Sequence, residues 1–146
     1  MVITLEDFQP ADFERCLEIR IQNYHEVNKT PYKINWVREH FLCNLQTRTY
    51  FVAKDWDLVV WIWGYYQNHL STFFVDPNYQ WQWIWKLLLQ KVLSEIQKLW
   101  YKDANLNSSE YAKNFYEHFG FVVVERKEDV GYVMKKHFAQ DFSPEL

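Results

Sequence analysis

The sequence predicts a mixed α/β (α+β) fold: a single, mostly antiparallel sheet of about six to seven strands flanked by about four helices. Three observations carry this. Stretches with period-two alternation are interleaved with stretches whose apolar residues recur at helical spacing. At 146 residues and 49% apolar content, the chain can bury one sizeable core and is too short for two of typical size. No internal repeat, linker or low-complexity segment interrupts the pattern. The expected organisation is one domain over residues 1–138 and a C-terminal tail over 139–146.

In chain order, Val2–Leu5 is a first strand, and Pro10-Ala11-Asp12 opens a helix whose apolar positions Phe13, Cys16, Leu17, Ile19, Ile21 and Tyr24 follow helical spacing. His25–Pro31 reads as a polar connector. A second helix runs from Ile34 to Leu45, with Val37, Phe41, Leu42 and Leu45 on one face. Tyr50–Lys54 and Leu58–Tyr66 form a hairpin around Asp55-Trp56-Asp57. Its turn needs a residue at φ > 0, which glycine supplies cheaply and tryptophan does not.

Leu70–Val75 is an apolar central strand, Asp76-Pro77 turns, and Asn78–Lys86 leads into a helix that carries Leu87, Leu88, Leu89, Val92, Leu93, Ile96 and Leu99. Strand, short loop and helix start form a phosphate-binding layout, because the first backbone N–H groups and the positive end of the helix dipole face the loop. Trp100 follows the helix where a left-handed residue, usually glycine, is expected. Ala104–Asn107 is a strand, Ser108-Ser109-Glu110 starts a helix over Tyr111–Phe119, and Phe121–Glu125 and Gly131–Lys136, with Asp129-Val130-Gly131 turning between them, complete the sheet.

A net charge of −3, a pI near 5.9 and no Lys/Arg block give no electrostatic footprint for nucleic acid or an anionic membrane. Cys16 and Cys43 have no C-x-x-C spacing and no matching His pair, so both are expected as buried free thiols, with no disulfide and no metal site. Without a signal-like N-terminus or a spanning apolar run, a soluble, cytoplasmic protein is expected, as monomer or homodimer.

Two stretches resemble the GNAT (GCN5-related N-acetyltransferase) family. Gln80-Trp81-Gln82-Trp83-Ile84-Trp85 fits its acetyl-CoA loop, Gln/Arg-x-x-Gly-x-Gly/Ala, if Trp83 and Trp85 stand for the two motif glycines and Trp81 for the extra glycine that members often carry. Ala112-x-x-x-Tyr116-Glu117-x-x-Gly120-Phe121 is similar to the second signature and is intact. The element order, β-α-α-β-β-β-α-β-α-β-β, matches the family over nearly the whole chain.

The resemblance implies acetyl transfer from acetyl-CoA to an amine acceptor. It implies that Phe74, Val75, Gln80, Trp81, Gln82, Trp83, Ile84, Trp85 and Lys86 surround the coenzyme, with the Val75 N–H polarising the thioester carbonyl. Ser109 stands where the family has an asparagine, and Asn107 is its expected substitute. Tyr116 is the expected proton donor to the CoA thiolate, and His69 is a candidate base whose ordinary pKa suits proton removal near neutrality. Tyr65, Tyr66 and His25 are candidates for the acceptor site; His118 and His137 read as surface residues.

Average glycine usage of about 7% would give roughly ten glycines; the chain has three, and eight tryptophans. Trp56, Trp61, Trp81, Trp83, Trp85 and Trp100 fall where this fold uses glycine for its backbone. Three readings compete. The indoles are genuine core or binding-face residues; or the protein is a catalytically inactive relative or aromatic binding module; or glycine codons stand as tryptophan. UGA means glycine in some genomes and tryptophan in others, and this third reading accounts for all eight at once.

Overall fold

A computed structural model describes residues 1–28, 34–128 and 131–139, without the side chains of 25–28. It is mixed α/β and mostly antiparallel, as expected, with eight strands and four α-helices among the described residues. The elements are β1 (Ile3–Asp7), α1 (Phe13–Asn28), α2 (Ile34–Thr47), β2 (Thr49–Asp55), β3 (Leu58–Tyr66), β4 (His69–Leu70), β5 (Phe74–Val75), α3 (Gln82–Lys98), β6 (Asp103–Ser108), α4 (Lys113–His118), β7 (Val122–Lys127) and β8 (Gly131–His137). They fall into two compact units, one of Met1–Tyr66 with Ser71–Val92 and one of Gln67–Leu70 with Leu93–Leu146.

In the first unit β2 pairs antiparallel with both β1 and β3, and β3 pairs antiparallel with β5. β3 is buried from Val59 to Tyr65, so it reads as a continuous apolar run rather than an alternating one. Gly64 lies directly under the Tyr50 ring; a Cβ there would stand 2.6 Å from Tyr50 Cδ1 and 2.4 Å from the Thr49 oxygen. Against this sheet α1 and α2 pack Cys16, Leu17, Ile19, Val37 and Phe41 over Tyr50, Val52, Val59, Ile62 and Phe74.

Within that core Arg20 is only 1% exposed. Its guanidinium lies 4.5 Å from the centre of the Phe41 ring and 4.2 Å from that of Phe74, a cation–π sandwich. Burial pushes its pKa below the ordinary value, opposed by the neighbouring Tyr50 and Tyr24 hydroxyls. Burial also raises that of Tyr50.

In the second unit β8 pairs antiparallel with β6 and β7, and β4 pairs parallel with β6 through His69 and Asn105. Its buried side chains include Ala104, Leu106, Tyr116, Phe121 and Met134.

Several expectations are corrected. The central strand over Leu70–Val75 is two short pieces, because past Leu70 the Ser71 carbonyl accepts from the Trp63 indole N–H at 2.5 Å instead of from a strand, and Ser71–Phe73 run outside the ladder. The first helix continues to Asn28, so His25 lies on α1 and not in a connector. The last helix is six residues, Lys113–His118, preceded by a turn. Cys43 is exposed on α2; only Cys16 is a buried thiol. The expected Asp129-Val130 turn and the tail beyond 139 lie outside the described residues. His118 and His137 are at the surface, as expected.

The two thiols should differ in reactivity. Burial, with the Asp12 carboxylate adding to it, pushes Cys16 up to about 12, and the thiolate is the nucleophile. Iodoacetamide at neutral pH should label Cys43 alone in the native protein and both cysteines in urea; intact-mass and peptide spectra read the difference.

Candidate active site

β5 is two residues long, so the local backbone decides what it offers. Val75 faces Trp61 and Phe74 faces Ile62. The Asp76 N–H donates to the Val60 oxygen at 2.8 Å, which makes Val75–Trp61 a non-hydrogen-bonded antiparallel pair and turns the Val75 N–H and C=O away from β3. Asn23 of α1 meets them. Its Nδ2 donates to the Val75 oxygen and to the Ile19 oxygen, each at 2.8 Å, and its Oδ1 accepts from the Val75 N–H at 3.4 Å. The amide thus stands in for a neighbouring strand. The last bond is long, close to the limit at which a hydrogen bond contributes.

The chain leaving β5 is tied at several points. Arg15 of α1 forms an ion pair with Asp76, and its Nε donates to the Val59 oxygen at 3.0 Å. Asp76 Oδ1 accepts from the Asn78 N–H at 2.9 Å, capping a one-turn 3-10 helix over Pro77–Tyr79. The Tyr79 hydroxyl donates to Asp55 at 2.8 Å, and the Trp61 indole N–H donates to the Tyr79 oxygen at 2.7 Å. Hydrogen bonding to Asp55 raises the Tyr79 pKa.

α3 then begins at Gln82, with the Trp81 carbonyl accepting from the Ile84 and Trp85 N–H groups at 3.1 and 3.4 Å. The N–H groups of Gln82 and Trp83 precede this ladder and meet no acceptor among the described residues. They are the orphan donors of a helix start, where the dipole also favours an anion. Gln80, Trp81, Gln82, Trp83 and Lys86 are exposed, whereas the Ile84 and Trp85 side chains are buried. Those two cannot line the loop with their side chains; only their backbone is at the helix start. Trp85 packs on Phe73 at 4.8 Å, and Phe73 also meets Trp61 at 5.2 Å and Trp63 at 5.1 Å.

The second unit holds the remaining candidates. Tyr116 is 4% exposed, in edge contacts with Phe115 and Phe121. Ser109 Oγ accepts from the Ala112 N–H at 3.2 Å and so opens the turn before α4, while Asn107 is an exposed residue of β6 paired with Val133. His69 Nδ1 lies 2.5 Å from Asn105 Oδ1. With that oxygen accepting, the proton sits on Nδ1 and Nε2 carries the lone pair. In the first unit Tyr65 is buried against Phe51, ring centres 6.2 Å apart, and Tyr66 is exposed. The His25 side chain lies outside the described residues. Among those residues no cluster of His, Cys, Asp or Glu fits a metal ion, and no helix is long and apolar enough to cross a membrane.

The family model described as an acetyltransferase (GNAT) domain matches residues 22–134. The chain belongs to the GNAT family. Acetyl-CoA-dependent acyl transfer is that family's reaction. Among solved structures, the chain is similar to the PaiA N-acetyltransferase of Thermoplasma acidophilum in complex with coenzyme A (TM-score 0.77, 19% identity, 94% of this chain and 100% of that one). It is also similar to a GNAT acetyltransferase of Staphylococcus aureus (TM-score 0.76, 19% identity, 94% and 100% covered). A third is the ribosomal-protein-S18-alanine N-acetyltransferase of Escherichia coli (TM-score 0.71, 18% identity, 97% and 99% covered). No curated protein matches the chain in sequence.

Sequence reasoning missed the ties from Asn23 and Arg15 of α1, which hold the GNAT loop at Val75 and Asp76. Their partners lie 52 and 61 residues away in the chain, and no local pattern marks them. Asn23→Ala removes three side-chain bonds and should cost about 1–3 kcal/mol; urea unfolding measures it, and an unchanged midpoint would mean that the amide holds nothing.

Proposed function

We propose that this protein transfers the acetyl group of acetyl-CoA to a primary amine of a small molecule or of a peptide or protein. The observation that carries the reading is the start of α3. Two backbone N–H groups, Gln82 and Trp83, stand without acceptors at the positive end of a 17-residue helix, just after Gln80. That arrangement suits a diphosphate held by main chain.

Acetyl-CoA supplies an activated carbonyl and a thiolate leaving group. What the protein must supply is placement, carbonyl polarisation and two proton routes. Val75 is suited to the second task, because its N–H is turned off the β3 ladder and held only loosely by Asn23, so a thioester oxygen can replace the amide oxygen. The amine nitrogen attacks the carbonyl carbon, the carbon–sulfur bond breaks, and the sulfur takes a proton. Tyr116 is assigned that proton. His69, through Nε2, is assigned the proton lost by the amine, and Asn105 holds its ring. Asn107 and Ser109 are assigned coenzyme contacts, and Tyr66, Tyr65 and His25 the acceptor side.

A second reading has one observation in its favour. Trp81 and Trp83 are 43% and 47% exposed, and Trp81 sits edge-on to Tyr79 at 5.4 Å, which makes an aromatic surface at the same loop. A non-catalytic module would use it to bind a ring or sugar ligand. The coenzyme reading further puts the protein in the cytoplasm, where acetyl-CoA is available and thiols stay reduced.

Isothermal titration with acetyl-CoA, followed by CoA release with a panel of amines, polyamines, amino acids and peptides, tests both. Acetyl-CoA binding and amine-dependent release support the transferase; ligand binding through the tryptophans without either supports the module. Tyr116→Phe should lower kcat about a hundredfold with little change in the KM for acetyl-CoA, and an unchanged kcat removes Tyr116 from the mechanism.

A further inference from the structure

Five described residues have φ in the left-handed region: Trp56 at 54°, Gln67 at 54°, Trp100 at 69°, Gly120 at 88° and Gly131 at 84°. Trp56 sits at the β2–β3 reversal, where Asp55 pairs with Leu58, and two of the others form a matched pair. Gly120 ends α4 and Trp100 ends α3, with the same bonds. The Phe119 and Gly120 N–H groups donate to Tyr116 and Glu117 at 3.0 and 3.1 Å; those of Leu99 and Trp100 donate to Ile96 and Gln97 at 3.1 and 3.0 Å. The same helix-end job is done by glycine after α4 and by tryptophan after α3.

An L side chain in this region crowds the following carbonyl, and bulky residues are outliers there. Neither indole is compensated. Trp56 is 70% exposed and Trp100 is 92% exposed, and no hydrogen bond or ring stacking of either indole is found among the described residues. Tryptophan is 8 of 146 residues, yet it takes two of the three left-handed positions that are not glycine. Trp61, Trp63 and Trp85 carry no such mark, being buried around Phe73 at ordinary φ.

We infer that positions 56 and 100 are glycine in the protein the cell makes, encoded by UGA codons that its genome reads as glycine. A codon keeps its meaning throughout a genome, so every other tryptophan position that UGA encodes is glycine too. Trp81 and Trp83 are where this bears on the coenzyme, a step that rests on the acetyl-CoA reading. Their exposed indoles flank the first N–H groups of α3, and glycine there lets a diphosphate approach the backbone.

Peptide mass spectrometry of the protein from its own cells, set beside the gene, decides the decoding. Glycine at 56 and 100 with UGA codons is expected; tryptophan in those peptides, or UGG codons there, overturns the inference. In a recombinant chain, Trp56→Gly and Trp100→Gly should each shift the folding equilibrium about two- to tenfold toward the native state, whereas Trp36→Gly inside α2 should shift it the other way. Losses at 56 and 100 like that at 36 would contradict it. A Trp81→Gly/Trp83→Gly chain should bind CoA at least about tenfold tighter than the tryptophan chain, since backbone approach is what the glycines supply. Equal binding by both overturns the steric step. Binding by neither, with glycine found at 56 and 100, refutes the acetyl-CoA reading and leaves the decoding standing.

Discussion

A two-residue strand cannot hold itself, and the candidate active site depends on how β5 is held. One edge of β5 bonds to β3. The other edge is met by a side chain, the Asn23 amide, which reaches from α1 to both the N–H and the C=O of Val75. One and two turns away on the same helix, Ile19 accepts from the same amide and Arg15 fixes Asp76 at the exit of the strand. The segment before α3 is therefore placed from α1 as well as by the Asp76 cap and the Tyr79 bonds to Asp55 and Trp61. An asparagine and an arginine far upstream take part in fixing where the orphan N–H groups stand.

Much of this fold was legible in the sequence, for reasons that are local. Strand and helix patterns follow side-chain period, so every helix and nearly every strand was found within a few residues of its position. The backbone demands at positions 56 and 100 were legible for the same reason, since a hairpin reversal and a helix end impose φ whatever the rest of the molecule does. What was not legible depends on distant partners. The break at Ser71–Phe73 goes with a side-chain bond from the Trp63 indole to the Ser71 carbonyl, and the exposure of Cys43 follows from which face of α2 the sheet covers. The loop residues divided in the same way: the order Gln80–Lys86 placed them at the helix start, but burial of Ile84 and Trp85 was set by Phe73 and the sheet beneath.

Seven of the eight tryptophans fall into two populations with different physics. Trp61, Trp63 and Trp85 surround Phe73, and the first two donate their indole N–H groups to the carbonyls of Tyr79 and Ser71. Trp61 and Trp63 behave as core residues with their polar atoms satisfied, and the Trp85 ring is buried beside them against Phe73. Trp56, Trp81, Trp83 and Trp100 stand at turns and at a helix start, exposed. A single explanation from packing serves the first population and leaves the second without one.

The Asn23 amide also bears on a hazard that open sheets share. An unpaired strand edge is a template on which a second chain can add, and the layout between β5 and the start of α3 keeps one edge unpaired by any strand. Closing that edge with a side chain rather than with another strand occupies the N–H and C=O of Val75, the one residue of β5 that offers them there, and leaves too little for a second chain to add to. The device thus guards the edge against addition of a strand without covering it with one.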